Sequence, residues 1–101
     1  MHSTKTETEI KKEISDYLKA CGYKVYRMQA GRISKNMHNN EAGTPDLFCV
    51  GRHGNCFWVE VKTPTGKLRP AQVEHIADLI ERGQFVLVAS SIQEVAEYDR
   101  T

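Results

Sequence analysis

Apolar residues recur at helical spacing near the start of the chain. Ile10, Ile14 and Leu18 fall on one face of residues 6–20, while lysines and acidic residues fill the other face. This period predicts an amphipathic helix. Gly22 follows it and suits the left-handed turn that ends many helices.

Alternating and β-branched residues then predict four strands. They cover residues 23–28, 46–50, 56–61 and 85–89. The second and third strands are joined by a short hairpin connection. The fourth is wholly apolar, which predicts a strand buried on both faces. Between the first two strands, residues 29–44 are rich in glycine, serine and asparagine and predict a long loop.

The second half of the chain supplies two further helices. Pro70 fits the first position of a helix that Gly83 ends. Ser91 and Glu94 form a capping box before a short last helix. The element order is helix, three strands, helix, strand, helix. We therefore predict a single α/β domain over residues 1–101, with one mixed sheet.

Composition and charge narrow the function classes only slightly. Hydrophobic residues make up 40% and charged residues 27% of the 101 residues, as in ordinary globular domains. The formal net charge is +1, so a nucleic-acid-binding function requires a local concentration of basic residues. Neither a membrane-length apolar run nor a signal-peptide pattern is present. The sequence thus predicts a protein of the cytoplasm, a reducing compartment, without a membrane partner.

The three cysteines predict reduced thiols. Cys49, His53 and Cys56 could be combined into a zinc site, but their spacing matches no standard pattern. Burial of Cys49 and Cys56 in two strands is the favoured interpretation.

The strand at residues 56–61 carries the most informative side chains. Alternation places Trp58, Glu60 and Lys62 on one face, with Glu60 and Lys62 about 7 Å apart. The simplest interpretation of such a pair is a solvated ion pair worth under about 1 kcal/mol.

The hairpin gives these residues a partner. If Val50 pairs with Cys56, Asp46 lies directly opposite Glu60, with their Cβ atoms about 5 Å apart. Two carboxylates that close require a proton, a cation or a metal ion between them. Mg²⁺ suits such a pair because it accepts carboxylate, water and phosphate oxygens. A two-residue turn at residues 53–54 would shift the register by one and remove this juxtaposition.

Several motifs resemble those of a nuclease family. They are Glu-x-x-Ile at residues 7–10, Gly-Thr-Pro-Asp-Leu at 43–47, Val-Glu-Val-Lys-Thr-Pro-x-Gly-Lys-Leu at 59–68 and Pro-x-Gln at 70–72. In this order, they resemble the PD-(D/E)xK nuclease superfamily and, more narrowly, its virus-type replication-repair nuclease (VRR-Nuc) domain. The resemblance extends from about residue 7 to 89. It implies a restriction-endonuclease-like αβββαβ core, a central mixed sheet flanked by helices, and a Mg²⁺- or Mn²⁺-dependent endonuclease.

The resemblance also implies roles for individual residues. Metal ligands would be Asp46, Glu60 and the Val61 carbonyl, with Glu7 in support; Lys62 would be the catalytic lysine, and Gln72 a further active-site residue.

Considered without the family, two of these positions have simpler interpretations. Glu7 could form a capping box with Thr4, although it lies on the apolar stripe of the first helix. Gln72 could cap a backbone group at the start of the second helix. Trp58 shares the face of Glu60, where we expect it mainly to cover the sheet.

Basic residues flank the predicted site in two loops. They are Arg27, Arg32, Lys35, Lys67 and Arg69. Their convergence would make a phosphate-binding surface for DNA. Because no helix-turn-helix or zinc-finger pattern is present, we expect recognition of DNA structure rather than sequence.

The most specific hypothesis is therefore a structure-selective endonuclease in viral DNA replication, recombination or repair. Branched DNA such as a Holliday junction is the preferred substrate, with a flap or nicking activity as the alternative. The resemblance also implies a homodimer. A non-catalytic DNA-binding module of a larger repair assembly would be free to lose Asp46, Glu60 and Lys62, yet all three are present. A protein-interaction domain would need an exposed apolar patch, which the pattern does not predict.

Overall fold

The fold of the chain follows from a computed structural model that describes residues 5–28, 32–34, 37–38 and 43–99. Its helices are α1 (Glu7–Ala20), α2 (Pro70–Glu81) and α3 (Ile92–Asp99). Its strands are β1 (Lys24–Arg27), β2 (Arg32–Ser34), β3 (Met37–His38), β4 (Leu47–Val50), β5 (Cys56–Val61) and β6 (Val86–Ala89). None of the described helices has the length and apolarity that a membrane span needs.

A four-stranded mixed sheet forms the centre of the domain. The strand order is β1-β4-β5-β6, in which β4 runs antiparallel to both β1 and β5, and β6 runs parallel to β5. The parallel pair requires a crossover, which α2 supplies. This arrangement confirms the predicted α/β class and the αβββαβ order of the main elements.

One face of the sheet packs on α1 and α3. Buried side chains of the two helices meet alternate residues of β4, β5 and β6. This core contains Ile10, Ile14, Leu18, Leu47, Cys49, Phe57, Val59, Val61, Ala89 and Val95. The next residues along β4 and β5, including Trp58 and Glu60, therefore point to the opposite face.

The ends of α1 are set by local hydrogen bonds. Thr6 is the N-cap and forms a capping box with Glu9: the Glu9 N–H donates to Thr6 Oγ1, and the Thr6 N–H to the Glu9 carboxylate. Gly22 has a φ of +100°, the left-handed conformation predicted from the sequence. Because Thr6 and Glu9 form the capping box, the alternative box between Thr4 and Glu7 is wrong, and Thr4 itself lies outside the described residues.

Two predictions about the strands are wrong. The predicted loop at residues 29–44 contains β2 and β3, which pair as a short antiparallel hairpin. These strands are too short and polar to give an alternating pattern. The last strand, β6, lies at an edge of the sheet rather than between two strands. Its residue Val88 is 40% exposed, and Phe85 just before it is 64% exposed.

The α2–β6 side of the domain carries exposed apolar side chains that the sequence pattern did not predict. Val73 and Ile80 lie two helical turns apart on α2, and Phe85 and Val88 belong to the β6 segment. The periodicity of apolar residues predicts one buried face of α2, but it does not predict that other apolar residues of the helix are exposed. Both α2 and the β6 segment therefore present apolar side chains to solvent, which is a feature of many contact surfaces.

The cysteine prediction is confirmed in part. Cys49 is buried and Cys56 half-buried, and the described thiols are free. Their strand partners are different, since Cys49 pairs with Phe57 on the core face and Cys56 with Val50 on the other. The two thiols thus point to opposite faces, which removes the geometry that a shared zinc ion requires.

Gly43 fixes the approach of the β4 segment to α2. Its φ is +91°, and a Cβ atom there would lie 2.3 Å from the Ala71 carbonyl oxygen. Only glycine allows this conformation and this backbone contact together. The contact brings the segment that carries Asp46 against the first turn of α2, where Gln72 lies.

Replacement of Gly43 by alanine should lower the free energy of unfolding by more than about 2 kcal/mol, because strain and a backbone clash act together. Gly83→Ala is a matched control: its φ is +89°, but a Cβ atom would meet nothing within 4 Å. That control should cost only about 1 kcal/mol. Urea unfolding followed by circular dichroism measures both. Equal losses in the two variants would contradict the role of the backbone contact.

Candidate metal and catalytic site

The predicted hairpin register is confirmed. Leu47 pairs with Val59 and Val50 with Cys56, so each pair of residue numbers sums to 106. One step further, Asp46 comes beside the end of β5, and its Oδ2 accepts a 2.8 Å hydrogen bond from the Val61 N–H. The Asp46 side chain thus continues the hydrogen bonding between the two strands and is held against β5.

Three carboxylates converge at this point. Glu7 from the first turn of α1, Asp46 before β4 and Glu60 of β5 each offer an oxygen, and these atoms lie within 4.8 Å of one another. The helix and the two strands come from separate parts of the chain. Because mutual repulsion opposes such a cluster, it implies a compensating positive charge.

Glu60 is the most buried of the three. Its side chain is only 1% exposed. Its Oε2 accepts a 3.0 Å hydrogen bond from Gln72 Nε2 and lies 3.8 Å from Lys62 Nζ. Its Oε1 has no hydrogen-bond partner among the described residues. A buried carboxylate oxygen without a partner is costly unless a ligand completes it.

Burial also changes the protonation of Glu60. Desolvation, reinforced by the negative charge of Asp46, raises the pKa of this carboxyl to about 8, while the Lys62 ammonium acts in the opposite direction. The carboxyl therefore holds a proton at neutral pH when no cation is bound. A divalent cation would displace that proton.

These residues fit a hard divalent cation. The donors are carboxylate oxygens, which Mg²⁺ and Mn²⁺ prefer, and Glu60, one of the three, has an oxygen without a partner among the described residues. The Val61 carbonyl lies on the same edge of β5 as the Val61 N–H, since both groups of a strand residue point to the same neighbour. It is therefore on the side of Asp46, in accord with its predicted role as a ligand.

Gln72 combines the two interpretations that the sequence left open. Its Oε1 accepts a 2.8 Å hydrogen bond from the Arg69 N–H and so caps the start of α2. Its Nε2 donates to Glu60 Oε2. The cap fixes the amide orientation, which leaves only the donor nitrogen to face the carboxylate.

Two lysines approach the cluster from different sides. Lys62 is buried, and its main-chain N–H donates a hydrogen bond to the Ala89 carbonyl oxygen in β6. Lys11 of α1 lies with its Nζ 3.2 Å from Asp46 Oδ1, and its side chain is 25% exposed. Sequence reasoning missed Lys11. Its spacing of four residues from Glu7 puts both on one helix face, and this was the signal that could have found it.

Trp58 lies beside the site and covers the sheet. Its ring is 4.6 Å from that of Phe48, and its Nε1 donates a 3.1 Å hydrogen bond to Gln84. Both interactions are structural, as the sequence analysis expected.

The predicted DNA-binding residues are only partly described. Lys67 and Arg69 are exposed in the segment between Lys62 and α2. Arg27 is exposed at the end of β1 and pairs with Leu47, so its side chain projects on the α1 side of the sheet. Arg32 lies in β2, but its side chain is outside the described part, as is the whole of Lys35.

The carboxylates do not line the groove of about 690 Å³ that lies between Ile10 of α1, the start of α3 and the start of the β5–α2 segment. The cluster instead lies at one end of the sheet, where Glu7 and Asp46 are half-buried and Glu60 is buried.

Fold and site together define an α/β domain in which three carboxylates and two lysines meet at one end of a mixed sheet. Residues 3–93 match the VRR-NUC domain, and the chain belongs to this family of nuclease domains. Two solved structures have the same fold, and each is 24% identical in sequence. One, described as a VRR_NUC domain, has a TM-score of 0.74 and covers 93% of this chain and 94% of its own. The other, described as a VRR_NUC domain protein, has a TM-score of 0.73 and covers 97% and 88%. No protein with curated annotation matches the chain.

Proposed function

We propose that this chain is a Mg²⁺- or Mn²⁺-dependent endodeoxyribonuclease. The observation that carries the proposal is the buried Glu60 carboxylate, which has one oxygen without a partner among the described residues and lies with Asp46 and Glu7 in a cluster whose oxygens are within 4.8 Å of one another. The alternative, a non-catalytic DNA-binding module, gives no reason to retain a costly cluster of three carboxylates.

The residues divide the chemistry between them. Asp46, Glu60, Glu7 and the Val61 carbonyl would hold the ion, which when bound supplies Lewis acidity and lowers the pKa of a water molecule. Gln72 keeps Glu60 Oε2 in place through its own cap on α2. Lys62 holds an ammonium beside Glu60, where it can orient the attacking water or stabilise charge on the phosphate oxygens.

The basic residues around the site support a DNA substrate. Lys67 and Arg69 lie in the segment that connects Lys62 to α2. Arg27 pairs with Leu47, the residue that follows Asp46. We propose that these residues, together with Arg32 and Lys35, contact DNA phosphates. We also propose that the protein acts in the reducing cytoplasm of a prokaryotic or virus-infected host cell.

Branched DNA is the proposed substrate class, and a homodimer the proposed active form. One such site cuts one strand, so symmetrical cleavage of a Holliday junction requires two sites. The exposed apolar residues of α2 and β6 support a contact between two copies, because apolar groups of this kind are enriched at homodimer interfaces. The outer edge of β6, which pairs with no strand in the described part of the chain, can extend the sheet into a second copy.

Replacement of Ile80 by lysine should therefore convert the dimer to a monomer, since it buries an ammonium in the apolar contact. Ile80 is 55% exposed within the single chain, so the fold of the monomer should survive the change. Tyr26→Lys is the control, because Tyr26 is 46% exposed on β1 at the opposite edge of the sheet. Sedimentation velocity distinguishes the forms. A wild type that sediments as a monomer at all concentrations would refute the dimer.

The function is tested by cleavage of labelled duplex, flap and four-way-junction DNA in Mn²⁺. We expect cleavage by the wild type, fastest on the four-way junction. Fastest cleavage of the flap would favour the alternative substrate. If the protein binds Mn²⁺ and DNA but cuts none of the three, the non-catalytic module becomes the better description.

A further inference from the structure

Lys11 is the charged residue at the site for which the proposed mechanism has no use. It lies one helical turn after Glu7 on α1, with its Nζ 3.2 Å from Asp46 Oδ1. Asp46 uses its other oxygen to accept the Val61 N–H. Asp46 is thus held by the β5 main chain on one side and faces Lys11 on the other.

The two lysines of the site differ in accessibility. The side chain of Lys62 is 10% exposed and lies next to Glu60, whereas that of Lys11 is 25% exposed and lies next to Asp46. Lys62 is therefore the inner ammonium and Lys11 the outer one. A group that enters from solvent meets the outer ammonium first, whereas Lys62 acts from beside the buried Glu60.

The charge of the site also requires two ammoniums when substrate is bound. Glu7, Asp46 and Glu60 carry three negative charges when ionised, and Lys11 and Lys62 carry two positive charges. A divalent cation and one phosphodiester then bring the total to zero. With Lys11, the metal-loaded site has a net charge of +1 and attracts the phosphate; without Lys11 it is neutral, and the bound phosphate leaves one uncompensated negative charge.

We propose that Lys11 is a substrate-contacting residue that donates a hydrogen bond to a non-bridging oxygen of the scissile phosphate. This inference rests on the proposed nuclease function and adds a phosphate-binding residue to it. In the substrate-free chain the ammonium interacts with Asp46. Once a cation neutralises that carboxylate, the attraction weakens and the same ammonium is within reach of a phosphate bound beside Asp46.

The test compares Lys11→Met with the wild type in two binding measurements. The first is the salt dependence of binding to the best-cleaved labelled DNA in Ca²⁺, after a check that no product forms. The second is Mn²⁺ affinity by isothermal titration calorimetry. We expect about tenfold weaker DNA binding at fixed salt. We also expect the slope of log affinity against log salt to fall by about 0.9, the contribution of one phosphate contact. Mn²⁺ affinity should be unchanged or higher, because a competing cation is removed.

Lys12→Met is the matched control. Lys12 is the next residue of α1 and forms an i,i+4 ion pair with Asp16 on the exposed side of the helix. It loses the same charge and should retain the wild-type slope. Lys11→Arg retains the positive charge and should also retain the wild-type salt slope. If circular dichroism shows that the methionine variant is unfolded, Lys11→Gln takes its place.

An unchanged salt slope in a folded Lys11 variant, while the wild type binds and cuts DNA, would overturn this inference alone. Mn²⁺ affinity that falls as much as DNA affinity would also overturn it, because Lys11 would then only position Asp46. A wild type that neither binds nor cuts DNA would overturn the proposed function itself.

Discussion

Replacement of Lys62 by methionine should lower the rate of DNA cleavage by about two to three orders of magnitude, while divalent-metal binding is retained. The expected loss is that of one preorganised charge-stabilising donor at a phosphoryl centre. Methionine keeps the apolar stem in its buried position, and the Lys62 N–H retains its hydrogen bond to the Ala89 carbonyl oxygen. The change therefore removes the ammonium and little else.

Single-turnover cleavage at saturating Mn²⁺ and DNA measures this effect. Lys24→Met is a suitable control, because Lys24 is an exposed lysine of β1 that pairs with Val50 at the far end of the sheet from Asp46. It should cut at the wild-type rate. Cleavage by Lys62→Met within threefold of the wild type would show that the ammonium has no part in the chemistry.

The second large effect concerns stability without metal. Between about pH 5 and pH 8, the metal-free protein should lose roughly 3 kcal/mol of unfolding free energy through Glu60 alone. In the unfolded chain this carboxyl ionises near 4.5, whereas in the folded chain its pKa is raised to about 8. The folded state therefore binds more protons over this interval, so stability is present at pH 5 and is lost as the pH rises towards 8.

Urea unfolding in EDTA at several pH values tests this prediction. Glu60→Gln cannot ionise and should remove this loss, so the variant should be more stable than the metal-free wild type at pH 8. Mn²⁺ should restore the stability of the wild type at pH 8, and it should do so much less for the variant. Parallel pH profiles of wild type and Glu60→Gln in EDTA would contradict the assignment of the loss to Glu60.

The sequence predicted the centre of the site because that centre depends on local rules. Strand alternation placed Glu60 and Lys62 on one face, and the hairpin between β4 and β5 set Asp46 beside them. Turn and capping residues such as Gly22 and Pro70 located helix ends for similar reasons. Each of these inferences involves residues that are close along the chain.

Features that depend on packing between distant segments were missed. Lys11 is 35 positions from Asp46, so their ion pair depends on how α1 lies across the sheet. The contact of Gly43 with Ala71 likewise depends on the position of α2. The exposure of Val88 follows from β6 being an edge strand, and an apolar run looks the same in edge and central strands.

The exposed side of α2 and β6 also alters the comparison between classes of function. The hydrophobic pattern predicts no apolar patch, which speaks against an interaction domain, yet four large apolar side chains of α2 and the β6 segment are exposed: Val73, Ile80, Phe85 and Val88. Val88 pairs with Glu60 across the β5–β6 ladder, so the exposed apolar residues adjoin the carboxylate cluster and do not take its place.

The most direct test of the central claim is nicking of supercoiled plasmid DNA by the wild type and by Glu60→Gln, each in Mn²⁺ and in EDTA. The glutamine variant keeps the shape of the buried side chain but lacks the charge that would hold the ion. We predict nicked and linear products only for the wild type in Mn²⁺. Equal nicking by Glu60→Gln in Mn²⁺, or nicking by the wild type in EDTA, would contradict a metal-dependent nuclease site built on Glu7, Asp46 and Glu60.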